Sequence, residues 1–224
     1  MRPGRPADLV LEYTQQMMAW RLFFEPGEQH RVAMLGLGAG SLLRHTLHHT
    51  PASVVTVELD VQVSAACRAW FGLPDTDRSV LVHADAAQWI ADSANTGNFD
   101  VLQVDLYDAN AQGPVYDSLS FYHDCSAVLA DTGMMVVNLF GDHPGYTHNL
   151  DNISQAFKGR MAILPAAKAG NRIVLAFAPG ATKGLSANAL MYRAKTLQAE
   201  TNFPMVRWAR AIVRQLDLAA GTRA

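Results

Sequence analysis

Four carboxylate side chains stand directly after short apolar segments of the sequence, where buried strands would end. They are Glu58, Asp85, Asp105 and Asp108, and the last two form an Asp-x-x-Asp pair. A carboxylate at the end of a buried strand costs desolvation free energy, which indicates a task such as binding or proton transfer. Paired carboxylates attract a cation and can accept its proton in the same place. The structural alternative is that each carboxylate caps the helix that follows it.

A glycine-rich loop, Gly36-Leu37-Gly38-Ala39-Gly40, precedes these carboxylates and leads from an apolar segment into a predicted helix. Glycines let the backbone approach a ligand closely, and a helix N-terminus offers free N–H groups with partial positive charge. A dinucleotide-binding loop would require Gly or Ala at the next position, where Ser41 stands. The loop therefore favours a nucleoside ligand without a pyrophosphate, and a tight structural turn is the alternative.

The acidic residues after the second and third apolar segments fit such a nucleoside. Glu58 follows the loop at the spacing from which a carboxylate accepts hydrogen bonds from both ribose hydroxyls in dinucleotide sites. We expect Asp60 to cap the next helix, which leaves Glu58 for the ribose. Asp85 is suited to an adenine amino group and also to a helix cap, and the two roles are compatible.

The elements that must position these residues alternate between strands and helices. Short apolar runs predict strands at 31–36, 53–57, 80–82, 99–104 and 134–139, and helical segments follow at about 41–49, 61–71, 86–92, 117–129 and 146–157. This alternation predicts an α/β fold with a doubly wound, mostly parallel, seven-stranded sheet. Segments 161–164 and 173–177 form its C-terminal antiparallel hairpin. All four carboxylates then lie at the carboxyl edge of the sheet, where open α/β sheets bind ligands.

Helices are also predicted at both ends of the chain. One spans Asp8 to Phe24, and two more span 187–200 and 204–216. We expect three regions: an N-terminal helical segment over 1–30, a nucleoside-binding domain over 31–180, and C-terminal helices over 181–224 that pack on or beside it. The basic residues of the last helix indicate an exposed face, or a self-association surface formed with three apolar neighbours. The basic set is Arg207, Arg210 and Arg214, and the apolar set is Phe203, Met205 and Trp208.

Composition excludes several classes of protein. The net charge of the 224 residues is -2, which argues against nucleic acid as a partner, and no apolar run approaches the about 20 residues that cross a bilayer. The start of the sequence lacks the apolar stretch of a signal peptide, so we expect a cytoplasmic protein. Acidic residues are concentrated between Glu58 and Asp151, where there are fourteen, against two basic residues.

Two further groups of residues invite a metal or disulfide interpretation. Cys67 and Cys125 both fall in predicted helices, so we expect reduced cysteines that pack in the core. His45 and His49 have the i, i+4 spacing of metal ligands, and His48 lies between them. Because no third ligand or acid accompanies them on that helix, we expect a solvated helix face and no metal site.

From about Glu12 to Gly141 the sequence resembles the spermidine synthases, or polyamine aminopropyltransferases, which have the Rossmann-like fold of class I S-adenosylmethionine-dependent methyltransferases. No single motif is specific to the family, but their combination is. The matching features are Met17-Met18, the glycine loop, Val57-Glu58-Leu59-Asp60, Asp85-Ala86, Asp105-x-x-Asp108, Gly113-Pro114, Phe121-Tyr122 and Gly133.

The resemblance implies a mechanism and a set of site residues. Decarboxylated S-adenosylmethionine would lie along the strand ends and donate its aminopropyl group to a small cationic amine. The donor would be held by Gly36, Gly38, Gly40, Glu58, Asp85 and Ala86. Asp105 would deprotonate the amine and Asp108 would help to hold it, with Tyr107 and Asp142 as further substrate contacts. The resemblance implies no metal, and a homodimer is one option.

The sequence departs from the family where aminopropyl transfer is defined. Family members usually carry an Asp in the glycine loop that holds the donor's amino group, and this loop has Ala39. The Asp-x-x-Asp motif is usually followed by Pro, and here Ala109-Asn110 follow. Only 30 residues precede the first predicted strand, which leaves no room there for the family's N-terminal β-rich domain. The contributions of that domain to the diamine pocket, which include an aromatic residue, would fall to Tyr13 or Gln16.

Three hypotheses therefore stay open. The first is an aminopropyltransferase that uses decarboxylated S-adenosylmethionine and an amine. The second is a methyltransferase that uses intact S-adenosylmethionine, because a loop without the Asp does not repel the donor's carboxylate. The third is a nucleoside-binding module without catalysis.

Overall fold

The computed structural model describes residues 4–107, 115–216 and 218. Seven strands form one sheet in the order β3-β2-β1-β4-β5-β7-β6. The strands are β1 (Arg31–Leu35), β2 (Ser53–Glu58), β3 (Ser79–His83), β4 (Phe99–Val104), β5 (Leu129–Phe140), β6 (Met161–Ile163) and β7 (Asn171–Phe177). The helices are α1 (Glu12–Gln16), α2 (Ser41–His49), α3 (Val61–Trp70), α4 (Ala86–Ala91), α5 (Leu119–Ala127), α6 (Tyr146–Ala156), α7 (Ala187–Thr201) and α8 (Met205–Val213), with 3₁₀ helices at Met17–Leu22, Ser93–Asn95 and Lys168–Gly170.

The sheet is parallel from β3 to β5 and antiparallel where β7 joins β5 and β6. Strand order reverses at β1, which lies between β2 and β4. In doubly wound sheets such a switch point opens a crevice beyond the carboxyl ends of the strands. The predicted seven-stranded, mostly parallel sheet with its terminal hairpin is therefore confirmed.

Alternating side chains of the strands build two hydrophobic cores, one on each face of the sheet. On β1, Val32 and Met34 enter the core under α2, α7 and α8, while Ala33 and Leu35 enter the core under α4, α5 and α6. Strands buried on both faces are the reason that the sequence shows continuous apolar runs instead of alternation. The first core also takes in the N-terminal 3₁₀ helix, whose six residues are all buried.

The N-terminal helix is shorter than the sequence indicated. Residues 8–11 are not helical, α1 has only five residues, and the chain then tightens into the 3₁₀ helix. Hydrogen bonds with two other parts of the molecule hold the segment in place. Gln103 Nε2 on β4 donates to the Met17 carbonyl oxygen at 2.8 Å, and Gln16 Nε2 donates to the Pro165 carbonyl oxygen at 2.9 Å. Tertiary packing therefore overrides the helical periodicity of 8–24.

Arg207, Arg210 and Arg214 are exposed, which agrees with the first interpretation of the last helix, whereas the second interpretation and the expectation for His45 are wrong. Phe203, Met205 and Trp208 belong to the chain's own core, so they do not form a self-association surface with the exposed arginines of α8. His45 is buried between Phe203, which lies between α7 and α8, with ring centroids 5.7 Å apart, and Ala7, whose carbonyl oxygen is 2.9 Å from His45 Nδ1. The other two histidines of α2, His48 and His49, are exposed.

The remaining structural expectations have mixed outcomes. Both cysteines are free and buried in helices, as expected. Within the described residues, no helix combines the length and the apolar character needed to cross a membrane. The division into regions 1–30, 31–180 and 181–224 stays a prediction.

Candidate active site

The glycine loop lies at the switch point, against the ends of two neighbouring strands. The Gly36 N–H donates to the Val57 carbonyl oxygen at 2.8 Å, and Gly36 has a φ of 91°. A Cβ at Gly36 would collide with the Asp105 carbonyl oxygen, so only glycine fits there. Gly40, with a φ of 69°, then turns the chain into α2. The loop thus brings β1, β2 and the residue after β4 together.

Glu58 links the end of β2 to this loop. Its Oε2 accepts from the Leu37 N–H at 2.9 Å, and its Oε1 accepts from the Asp60 N–H at 2.9 Å. The Asp60 carboxylate accepts from the Gln62 N–H at 2.8 Å and caps α3, as predicted. Each Glu58 oxygen keeps a second lone pair for a ligand hydroxyl. Ribose binding by Glu58 stays a prediction.

Asp85 caps α4, whose first residue is the buried Ala86. Its Oδ1 accepts from the Gln88 N–H at 2.9 Å, and its Oδ2 accepts from the Tyr116 hydroxyl. The Tyr116 hydrogen bond and then the Gln88 hydrogen bond lower the pKa of Asp85, while the same contact raises the pKa of Tyr116 to about 12. The capping role is confirmed, and the adenine role stays a prediction.

Asp105 stands directly after β4 in a different environment. Its N–H donates to the Leu35 carbonyl oxygen at 3.0 Å, and burial of the carboxyl raises its pKa to about 6. Asn138 Nδ2 donates to Asp105 Oδ1 at 2.9 Å and opposes that rise. Asn171 Nδ2 donates to Asn138 Oδ1 at 3.0 Å, which fixes the Asn138 amide with its N–H₂ group toward Asp105. A carboxyl of this pKa changes protonation state near neutral pH.

Sequence reasoning missed three of these residues. Asn138 is the one polar side chain in the buried stretch 134–139 of β5, and this interruption of an apolar run was a usable signal. Asn171 begins β7 beside it in the antiparallel pair. Tyr116 had no local signal, because its contact with Asp85 joins residues 31 positions apart.

A cavity of about 220 Å³ lies between the glycine loop, the start of α2 and the N-terminal segment. Its lining includes Asp105, Gly36, Ala39, Thr56 and Tyr13. Burial and then the nearby charge of Asp105 raise the pKa of the Tyr13 phenol, so it stays a neutral hydrogen-bond donor. Asp105 is partly exposed in a space walled mostly by protein, which suits proton transfer to a small bound molecule.

The other predicted site residues vary in position. Tyr107 packs edge-on against Phe140 with ring centroids 5.2 Å apart, and burial raises its pKa. Asp142 follows β5 and is exposed. Gln16, one of the two residues suggested to substitute for the N-terminal domain, is fully buried against Pro165, whereas Tyr13 lines the cavity. Asp108, Ala109-Asn110 and Gly113-Pro114 lie outside the described residues. In the described ranges, no three His, Cys, Asp or Glu side chains converge as metal ligands would.

Comparison with known sequences assigns most of the chain to one family. The model of the spermine/spermidine synthase domain matches residues 11–167. A polyamine aminopropyltransferase of Neisseria meningitidis serogroup B is 33% identical over 182 residues, which cover 79% of this chain and 67% of that protein. A polyamine aminopropyltransferase of Chromobacterium violaceum is 33% identical over 174 residues, covering 77% of this chain and 65% of that protein. The chain thus matches about two thirds of the length of these relatives.

Solved structures give the same fold. A probable spermidine synthase from Corynebacterium glutamicum superposes with a TM-score of 0.70 at 20% identity, covering 99% of this chain and 84% of that one. Human methyltransferase-like protein 13, in complex with SAH, superposes with a TM-score of 0.68 at 22% identity, covering 96% of each chain. The Rossmann-like methyltransferase fold is therefore confirmed.

Proposed function

Because the chain belongs to the spermine/spermidine synthase family, we propose that it transfers the aminopropyl group of decarboxylated S-adenosylmethionine to a small amine in polyamine biosynthesis. The amine nitrogen forms a bond to the aminopropyl carbon, and the bond from that carbon to the sulfonium sulfur breaks. The sulfur keeps the electron pair and becomes a neutral thioether. The amine loses one proton, which Asp105 accepts.

The observation that carries this proposal is the state of Asp105. Its carboxyl has a pKa raised to about 6 by burial and lies in the cavity beside the glycine loop. At pH 8 it is ionised, so it can attract an ammonium group and accept its proton. Because a sulfonium is already a good leaving group, alignment of donor and amine supplies most of the remaining catalysis.

Donor binding is assigned to the loop and to the strand ends beside it. Gly36, Gly38 and Gly40 all have positive φ and form the sharp turn on which the nucleoside is proposed to lie, and the α2 N-terminus adds free N–H groups. Glu58 is proposed to accept from the ribose hydroxyls. Asp85 and Ala86, at the start of α4, are proposed to lie beside the adenine.

Acceptor binding is assigned to the surroundings of Asp105, where Tyr13 lines the cavity. Tyr13 and Tyr107 are both near enough for the charge of Asp105 to affect their pKa values, so both are candidates to contact the amine. Asp108 is proposed to hold a second cationic group of the substrate, and Asp142 is a more distant candidate. The homodimer, a cytoplasmic location and the exclusion of nucleic acid as a partner stay predictions.

Calorimetry with two donors tests the proposal. We expect the decarboxylated donor to bind at least 10-fold more tightly than intact S-adenosylmethionine, a difference of about 1.4 kcal/mol. We also expect mass spectrometry to detect an aminopropylated product with 1,4-diaminobutane as acceptor. Tighter binding of the intact donor, with no aminopropylated product, would overturn the proposal.

Ala39 specifically favours a second candidate function, methyl transfer from intact S-adenosylmethionine. It is an exposed loop residue where the resembled family usually carries Asp, so it adds no negative charge against a donor carboxylate. An Ala39→Asp variant tests whether position 39 faces the donor, because the new carboxylate should then strengthen binding of the decarboxylated donor and weaken binding of the intact donor. The donor that the wild-type chain binds more tightly separates the two candidates.

A further inference from the structure

A second polar cavity, of about 420 Å³, lies on the other side of the N-terminal segment from the glycine loop. It is bounded by that segment, by α2 and by the end of α7, and its lining includes Asp8, Leu9, Arg21, His45, Glu200 and Phe203. Asp8 lines this cavity and the one beside Asp105, so residues around Asp8 separate the two. None of the residues proposed above for donor or amine binding lines the second cavity.

Arg21 lines this cavity and carries a buried hydrogen-bond donor without an acceptor in the described ranges. The residue is only 6% exposed, and its Nε has no hydrogen-bond partner among the described residues. Arg21 Nη2 lies 3.6 Å from Glu200 Oε2, an ion pair that leaves Nε free. A buried guanidinium N–H without an acceptor is costly, and an anionic acceptor would satisfy it best.

His45 also lines the cavity, and it carries a buried hydrogen-bond acceptor without a donor from any described residue. The residue is 3% exposed, and its Nδ1 lies 2.9 Å from the Ala7 carbonyl oxygen. Because a carbonyl only accepts, Nδ1 must carry the hydrogen, and burial lowers the His45 pKa to about 4. At neutral pH the other nitrogen, Nε2, is therefore an acceptor, and it has no partner in the described part of the chain.

The other walls restrict the chemistry of a ligand. Arg5 Nε lies 3.1 Å from Asp8 Oδ2, and Arg21 is near Glu200, so the fixed charges around the cavity balance. Leu9 and Phe203 supply apolar surface that is itself largely buried. A matching ligand is net neutral, offers an anionic acceptor and a donor, and has an apolar part.

We propose that this cavity binds a free α-amino acid with an apolar side chain. The carboxylate accepts from Arg21 Nε, the ammonium group donates to His45 Nε2, and the side chain packs on Leu9 and Phe203. A bare inorganic anion would satisfy Arg21 but not His45, and a simple amine would satisfy His45 but not Arg21.

Calorimetry on the full chain tests this with L-leucine, L-methionine and L-phenylalanine as probes. We expect saturable binding of at least one of them. We also expect at least 10-fold weaker binding of the analogue of that probe that lacks the amine and of the analogue that lacks the carboxylate, such as 4-methylpentanoate and 3-methylbutylamine for leucine. No binding of the three probes at millimolar concentration would overturn the proposal, as would equally tight binding of inorganic phosphate or of either analogue.

Variants with matched controls locate the site. Arg21→Lys and His45→Phe should each weaken binding at least 10-fold, while Arg207→Lys and His48→Phe, at exposed positions outside the cavity, should leave it unchanged. Thermal unfolding checks that each variant is folded. If His45→Phe does not fold, ¹⁵N-histidine spectra of the wild-type protein replace it, and we expect the probe to shift the His45 Nε2 resonance. Unchanged binding in folded Arg21→Lys, or an unshifted resonance, would contradict the assignment.

Discussion

Asp85 and Asp105 are the same residue type at the same edge of one sheet, yet their surroundings give them opposite chemistry. Both oxygens of Asp85 accept hydrogen bonds, from the Tyr116 hydroxyl and the Gln88 N–H, and its pKa is lowered. Asp105 accepts one side-chain hydrogen bond, from Asn138, among the described residues, and burial raises its pKa to about 6. The first carboxylate is stabilised as a permanent anion, and the second is poised to take up a proton.

This contrast divides the site into two halves. In the half formed by β2 and β3, the carboxylates stay ionised, because Glu58 and Asp85 accept hydrogen bonds from backbone N–H groups of the loop and of α4. The half formed by β4 and β5 holds a carboxylate that can change its charge. A transferase needs both, since the donor has to be bound without proton exchange and the acceptor has to lose a proton.

The largest expected effect comes from Asp105→Asn. Loss of a general base lowers turnover by about 10² to 10⁴-fold, while donor affinity should stay within a few-fold because the loop contacts remain. Steady-state kinetics and calorimetry measure the two quantities. Asp75→Asn, an exposed change between α3 and β3, is the matched control and should have little effect. Normal turnover in Asp105→Asn would remove this residue as the base.

Glu58→Gln tests the half of the site formed by β2 and β3. Replacing one carboxylate oxygen by an N–H₂ group places two N–H groups against each other, at Asp60 or at Leu37. It also leaves one oxygen fewer to accept hydrogen bonds from the ribose hydroxyls. We expect donor affinity to fall by about 10 to 100-fold, as for lost hydrogen bonds to a charged group. Asp60→Asn, which alters only the α3 cap, should leave donor affinity near the wild-type value. Unchanged affinity in Glu58→Gln would refute the ribose assignment.

Asn138→Leu changes the pKa of Asp105 and leaves the Asp105 side chain itself in place. The lost hydrogen bond stabilised the ionised form, so the pKa of Asp105 should rise further. A base must be deprotonated, so the acid limb of kcat/KM should move from near pH 6 to higher pH by about one unit. Asn149→Leu removes another buried Asn, bonded to Tyr122, and should leave the limb in place. If the acid limb of the kcat/KM profile does not move in Asn138→Leu, the Asn138 amide does not influence the pKa of the catalytic base.

Tyr116→Phe should have the smallest effect. It removes the leading cause of the low pKa of Asp85, so that pKa should rise toward its ordinary value. The carboxylate still remains ionised at pH 7, and we expect donor affinity at that pH to change by no more than a few-fold. Calorimetry at pH 7 checks this. A 100-fold loss would mean that Tyr116 itself contacts the donor.

The sequence was sufficient for features that depend on local chemistry. Apolar runs and helix signals predicted the sheet, and the glycine spacing predicted a sharp loop before α2. The cap at Asp60 could be assigned because an acid preceding a helix has a short-range partner, the Gln62 N–H. Asp105 could be suspected because a carboxylate at the end of a buried strand is costly.

Features that depend on distant contacts could not be predicted. The segment 8–24 has helical periodicity, but hydrogen bonds from Gln103 and to Pro165 hold it in a tighter path. The sequence alone assigns His45 to a solvated face, because its contacts with Phe203 and Ala7, which are distant in sequence, could not be foreseen. The amide pair of Asn138 and Asn171 joins residues 33 positions apart, and its orientation toward Asp105 is a property of the folded sheet.

Direct titration of the two carboxyls tests the central contrast. ¹³C NMR of protein labelled at the Asp carboxyl carbon, with Asp105→Asn and Asp85→Asn used to identify the two resonances, gives both midpoints in the wild-type protein. Asp105 should titrate near pH 6, and Asp85 should titrate below its ordinary value of 3.8. Titration of Asp105 below pH 4, alongside Asp85, would contradict the assignment of Asp105 as the poised base.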